Sequence, residues 1–262
     1  MNVAGQVETE SKSTLQSKGK KLRAVIYLAS NRPLHLPDFL AEFRSSWPHH
    51  KLEKTGQEPH KAFFRAGHSD FSIELHHTPV PRGITEPVEK STLHWPAAAL
   101  SSHTAHIEVA GSAPGHGVLT LACDLTRAIA SLLPVTDSLA VCWLSGPALN
   151  RAKTFTATAR EMFSAGLCPV ALWVAAHWDA RSHALFTHGM EQFNAPEVLL
   201  TRQPDAAPLM VDYLFQFALW LLTSQRVIAE GAMVSGPHGP LRIGKGKPDE
   251  TGSESLVLEP CS

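Results

Sequence analysis

The chain carries fifteen histidines and four cysteines, the residue types that metal and nucleophilic chemistry draw on. Cys123, Cys142, Cys168 and Cys261 are too far apart for a CxxC knuckle or redox pair, and three of them lie in strongly apolar runs. They read as buried thiols of a reducing compartment. His103 and His106, two residues apart, would point to opposite faces of a strand and could not both reach one metal. His177, His183 and His188 surround a predicted hairpin. A fold that set two of them beside Glu191 or Asp179 would make a hydrolytic centre, whereas solvent-facing hairpin histidines are the plainer expectation. No Gly-x-Ser-x-Gly elbow presents a nucleophile, and Ser145 and Ser235, each before a glycine, read as turn residues. The stretch Gly244 to Lys247 lacks the helix and the terminal Lys-Ser/Thr of a phosphate loop, so it reads as a flexible basic loop. No catalytic or metal constellation closes in the sequence. The expectation is a non-enzyme without metal or cofactor.

The elements that would position these residues follow from periodicity. Residues 1–21 are polar and Ser/Lys-rich, without apolar periodicity, and read as a disordered tail. Leu22 to Ala29 is a strand, and Phe39, Leu40, Phe43 and Trp47 mark one face of a helix with Pro37 at its start. A polar connector, His49 to His60, leads to a hairpin of Ala62–Arg65 and Phe71–Leu75 around Gly67. Pro79 to Pro87 is a loop or linker, which leaves 49–103 as a candidate insertion. Thr104 to Ala110 alternates, with His106 and Glu108 on the polar side. From Val118 to Leu133 a narrow stripe of Thr120, Asp124, Arg127 and Ser131 interrupts an otherwise apolar helix. Leu209 to Ser224 repeats that design with Asp212, Gln216 and Thr223. Both stripes are expected to face outward.

Leu139 to Leu144 and Val170 to Ala176 are continuous apolar runs that predict central strands, with a helix through Phe155, Ala159, Met162 and Phe163 between them. Beyond them come a hairpin through His177 to His188, a strand at Val198 to Leu200, and edge strands at Leu241–Ile243 and Ser255–Leu258. The reading is a single α+β domain over residues 22–260: a mixed β-sheet packed by two long, mostly buried helices, with an additional hairpin or insertion region.

Composition narrows the function classes. With 262 residues, 44% of them apolar, the chain can bury a substantial core. Its 23 basic residues balance 24 acidic ones, so it lacks the global positive field of a nucleic-acid binder, and a direct nucleic-acid ligand is not expected. The N-terminus shows no apolar signal region, and the stretch Leu209 to Leu222 is short of the roughly 20 residues that span a bilayer. The expected location is the cytoplasm, with no membrane partner.

The segment Thr187 to Glu197 differs from the rest. Gly189 and Asn194 permit positive φ, Pro196 fixes an extended approach, and Glu191 and Glu197 bracket Phe193. A shaped, acidic and aromatic loop is a natural recognition surface. The run Gly189-Met190-Glu191-Gln192-Phe193-Asn194-Ala195-Pro196-Glu197 resembles the Gly-Met-x-x-Phe-Gly-x-Pro-Glu signature of a bacterial domain family of unknown function, with Asn194 where that signature has glycine. The resemblance extends over about residues 22 to 260, with a helix after the loop and a Gly-rich hairpin at the close.

It implies a bacterial α+β protein without known cofactor, associated with type VI secretion toxin loci, and similar in plan to an immunity protein. Such a protein binds and neutralises a co-encoded toxin, here one acting in the cytoplasm such as a nuclease. Glu191, Phe193, Glu197, Asp249 and Glu250 are then the expected partner-binding residues, as carboxylate and aromatic mimics of a nuclease substrate. The cognate toxin is the expected partner, and a homodimer is compatible with the sequence. A His-dependent hydrolase built on His177, His183 and His188, or a secretion-associated chaperone or structural subunit, are the competing readings.

Overall fold

In the computed structural model, which describes residues 21–81, 83–84, 100, 102–113, 117–179, 183–201, 208–224, 228–246 and 255–261, the first apolar run becomes the hub of the fold. Strand β1 (Lys21–Leu28) is hydrogen-bonded on one side to β5 (Ala105–Ser112) and on the other to β6 (Ser138–Trp143). Being central, it is covered on both faces, and every residue from Ala24 to Leu28 is buried. With β2 (Leu52–Gln57), β3 (Lys61–Ala66), β4 (Ser69–His76) and β7 (Ala148–Arg151) it forms a seven-stranded antiparallel sheet in the order β2-β3-β4-β5-β1-β6-β7.

Three of these strands come from 52–76, so the first part of the candidate insertion is built into the sheet. β4 pairs with β5 along its length. The polar connector predicted at 49–60 contains β2, an edge strand whose sequence LEKTGQ carries no apolar alternation because it packs little on either face.

One face of this sheet is covered by α1 (Leu36–Ser46), α2 (Val118–Leu132) and α3 (Ala152–Ser164). Phe39 and Phe43 of α1 and Leu121, Leu125 and Ile129 of α2 bury against Ala24, Ile26, Phe64, Ile73, Ile107 and Val109 of the strands. At β5 the helix comes so close that a Cβ on Gly111 would lie 2.4 Å from Leu125 Cδ1. The stretch Val118–Val135 has a mean hydropathy of 1.6 and is long and apolar enough to cross a membrane, but 61% of it is buried inside the protein, as expected of a core helix.

The polar stripe of α2 faces outward only in part: Thr120 is exposed as predicted, but two of its members turn inward. Asp124 and Ser131 are buried. Asp124 accepts hydrogen bonds from Ser69 on β4 (2.7 Å) and from Arg127 (3.0 Å), and Ser131 accepts one from Trp47 Nε1 (3.0 Å). Arg127 itself lies over the Phe163 ring of α3, 4.3 Å from its centroid. A polar stripe can turn inward when neighbouring elements supply partners, and here β4, Trp47 just after α1, and α3 do so.

The rest of the chain builds a six-stranded sheet in the order β11-β12-β13-β10-β9-β8, from β8 (Ala175–Asp179), β9 (Ala184–His188), β10 (Glu197–Leu200), β11 (Met233–Gly236), β12 (Gly239–Gly246) and β13 (Ser255–Pro260). All its pairings are antiparallel except β10 with β13, which makes this sheet mixed. The fold is α+β, with two sheets where the sequence suggested one. Val170–Leu172 is a 3₁₀ turn instead of a strand, and β8 lies at an edge, while β12 and β13, expected at edges, are interior. Helix α4 (Pro208–Ser224) buries Met210, Leu214 and Phe217 on this second sheet, and its Ala218 joins the core of the first.

Candidate functional site

The second face of the seven-stranded sheet divides into two halves. Around β1, β6 and β7, the side chains of Val25, Tyr27, Ala140, Cys142 and Leu149 form a small core with Val80 and Leu100. Around β3, β4 and β5 no described residue forms such a cover. Strand alternation sends Lys61, Phe63 and Arg65, then Asp70, Ser72, Glu74 and His76, then His106, Glu108 and Ala110 to this side. Cross-strand ion pairs link them: Arg23 to Glu108 at 2.6 Å, Lys61 to Glu74 at 2.7 Å and Arg65 to Asp70 at 2.7 Å.

Lys61 and Glu74 hold each other charged. Their hydrogen bond raises the lysine pKa and lowers that of the carboxyl. Beside these pairs a depression of about 660 Å³ is lined in part by Lys21, Arg23, Lys61, Phe63, Arg65 and Asp70. Four cations and one acid line it. The pairs are partly exposed and add little to stability, so their main consequence is to fix charges in register on a rigid scaffold.

Where this open half meets the covered half, His76 stacks on His106 with ring centroids 4.5 Å apart and planes 10° apart. His106 is buried, and its Nδ1 bonds the Thr78 carbonyl at 2.8 Å; His103 Nε2 accepts the Val80 N–H at 2.8 Å. The expectation that His106 would lie on an exposed strand face is thereby corrected: the chain after β4 folds over it.

Burial lowers the His106 pKa, with Thr78 opposing and His76 and His103 adding to the shift. The folded state then takes up a proton at lower pH than the unfolded chain. Stability should be unaffected by this group above about pH 6.5, the ordinary histidine value, and fall as pH drops below it. Urea midpoints at pH 7.5 and 5.5 should show that loss in the native protein and a smaller one in His106→Gln. An equal loss in both would assign the acid sensitivity elsewhere.

Part of the 188–197 segment, Glu197 above all, is committed to the fold and not to a partner. Glu197 is buried, and its carboxylate accepts hydrogen bonds from Thr187 Oγ1 (2.6 Å) and from the backbone N–H groups of Gly189 and Met190 (2.8 Å each). Gln192, also buried, accepts from Trp143 Nε1 of β6 (2.8 Å) and donates to the Trp173 carbonyl (3.1 Å) and the Gly189 carbonyl (2.6 Å). Trp173 in turn donates to Thr126 of α2 at 2.7 Å.

The loop is a clamp between the two sheets. Gly189 and Asn194 both adopt positive φ, as their types suggested. Glu191 is exposed, Phe193 is half-buried against Trp173 with centroids 5.5 Å apart, and Glu197 is unavailable to a partner. Asp249 and Glu250 lie outside the described residues.

The histidine triplet does not assemble. His177 and His188 approach diagonally across β8 and β9, with centroids 5.6 Å apart, while His183 sits at the exposed hairpin end against Trp178. Among the described residues no group of three or more His, Cys, Asp or Glu side chains is placed to hold a metal ion. The residues that sequence reasoning missed are those of the open face. The signal was present in the alternation Asp70-Ser72-Glu74-His76 and in His106-Glu108, but the pairing of β4 with β5 was needed to bring the two together. Comparison with protein-family models, with curated proteins and with solved structures finds no match to this chain.

Proposed function

We propose that the protein is an immunity-type binding protein that neutralises a co-encoded secreted toxin by occlusion, and that the toxin seats on the open half of the seven-stranded sheet. The observation that carries this reading is the register of three ion pairs around Phe63, on a face that no described residue covers. A half-buried aromatic held on strands by flanking charges is the composition of a protein-binding hot spot. Three of the four lining cations are paired with Glu108, Glu74 and Asp70, so the face offers alternating charges, and the part of the toxin that docks there carries both signs in a complementary register.

The resemblance carried by the 188–197 run supplies the biological setting: a type VI secretion effector, acting in the cytoplasm as a nuclease does. Docking acts on it by steric exclusion and needs no chemistry from this chain. This alternating register takes the place of the acidic mimicry expected of the loop, because Glu197 is committed to the fold.

Phe63→Ala is expected to weaken toxin binding by about 30-fold, the equivalent of about 2 kcal/mol. Arg65→Glu is expected to slow association and make it less salt-sensitive. The test is co-expression with the neighbouring toxin, scored by survival and by affinity of the purified pair at equal expression. Unchanged affinity in both variants would remove this face from the interface. Protection at far below toxin stoichiometry would replace occlusion by turnover.

A further inference from the structure

The four cysteines are free, and two of them, 45 positions apart in sequence, meet in space. Cys123 stands on α2 and Cys168 in the short connection between α3 and the 3₁₀ turn that precedes β8, with their sulfurs 3.7 Å apart. Both are half-buried, and the connection that carries Cys168 is exposed from Ser164 to Leu167. The expectation of buried thiols holds for Cys142 alone: Cys123 and Cys168 are half-buried and Cys261 is exposed.

We propose that Cys123 and Cys168 form a dithiol site that small disulfides oxidise to an intramolecular disulfide, tying α2 to the connection after α3. This goes beyond the docking reading and does not depend on it. The roles of the two sulfurs are unequal. The hydrogen bond from Cys123, helped by the Arg127 guanidinium, lowers the Cys168 pKa to about 7, whereas the same bond and burial push Cys123 upward. Cys168 is the attacking sulfur and Cys123 the resolving one.

In the first step the Cys168 thiolate attacks one sulfur of the small disulfide, RSSR. It forms a mixed disulfide and expels RS⁻. Cys123 then gives its proton to that RS⁻ and attacks the Cys168 sulfur, which forms the protein disulfide and releases the second RS⁻. Two protein thiols are oxidised and one disulfide is reduced, with two thiols as products. The sulfurs must approach from 3.7 Å to about 2.05 Å. That movement falls to the exposed Cys168 connection, because α2 is held in the core.

The experiment treats the native full-length protein with glutathione disulfide at pH 7.5 and maps the cysteines by mass spectrometry after trapping with an alkylating agent. The expected result is a peptide pair linked through Cys123 and Cys168, reversed by dithiothreitol, with thermal unfolding of the oxidised protein shifted upward by a few degrees. Cys123→Ser should instead accumulate a glutathione adduct on Cys168, and Cys168→Ser should leave Cys123 unmodified. Cys261, which is exposed, reports that the oxidant was active. Glutathione on Cys261 with no linked pair in the native protein would overturn the proposal. So would a linked pair formed only in denaturant, or modification of Cys123 in Cys168→Ser as fast as that of Cys168 in Cys123→Ser.

Discussion

Glu197→Ala is expected to cost about 3 kcal/mol or more of folding stability, read as a lower urea midpoint. The carboxylate accepts from three donors: the Thr187 hydroxyl and the backbone N–H groups of Gly189 and Met190. Alanine leaves all three facing a buried space, and each unsatisfied donor costs roughly 1–3 kcal/mol, less whatever entering water recovers. Thr187 Oγ1 also accepts the Val198 N–H at 2.8 Å, so the loss extends into β10. Glu197→Gln retains one acceptor oxygen for the two N–H groups and should cost much less, about 1 kcal/mol. Glu191→Ala, six positions earlier and exposed, should change stability by less than about 0.5 kcal/mol. This order separates a structural clamp from a recognition loop. If Glu197→Ala unfolded at the wild-type midpoint and only lost toxin binding, the clamp assignment would fail.

Gly146→Ala should be nearly as damaging through an opposite cause, overpacking. A Cβ at this position would lie 2.2 Å from the Trp173 carbonyl oxygen, 2.6 Å from Gln192 Nε2 and 3.1 Å from the Gly189 Cα. Two of these neighbours are backbone atoms and the third is held by three hydrogen bonds, so none yields without breaking the clamp. The expected loss is about 2–3 kcal/mol. It should come with an altered near-ultraviolet circular dichroism, because Trp143 and Trp173 both bond into the displaced region. Gly67→Ala is the comparison. Its Cβ would meet nothing within 4 Å, and only the positive φ of 58° is unfavourable, at about 1–2 kcal/mol. An unchanged aromatic signal in Gly146→Ala, with a loss no larger than that of Gly67→Ala, would show that the two sheets are not joined rigidly here.

These two expectations bear on how a distinctive loop is interpreted. Positive-φ residues, a proline and bracketing acids together announce a segment of defined shape, and that shape is present. Whether its acids face a partner or the protein's own backbone depends on what stands across from them. Here the donors of Thr187, Gly189 and Met190 claim Glu197, and Trp143 and Trp173 claim Gln192. The docking face we propose therefore lies elsewhere, on the seven-stranded sheet, where ion pairs are partly exposed and Phe63 stands among them.

Much of the local structure was legible in the residues alone. The strand at β1, the hairpins β3–β4 and β8–β9, and the helices α1, α2, α3 and α4 follow from apolar period, proline and glycine, because each depends on backbone geometry within one segment. The strands β2 and β7 escaped notice: one is polar and at an edge, the other is four residues long beside Pro147, so neither carries a periodic signal.

The direction in which polar groups point was not local information. Asp124 lies inward because Ser69, 55 positions away, meets it, and His106 is covered because Thr78 and His76 lie over it. Cys123 faces a second thiol only because the connection after α3 returns to α2. An apolar stripe needs only some apolar surface to bury against, so its period is enough to predict its burial. A buried hydroxyl, carboxylate or thiol needs a particular partner at hydrogen-bonding distance, and only the packing of sheets and helices selects which residue that is.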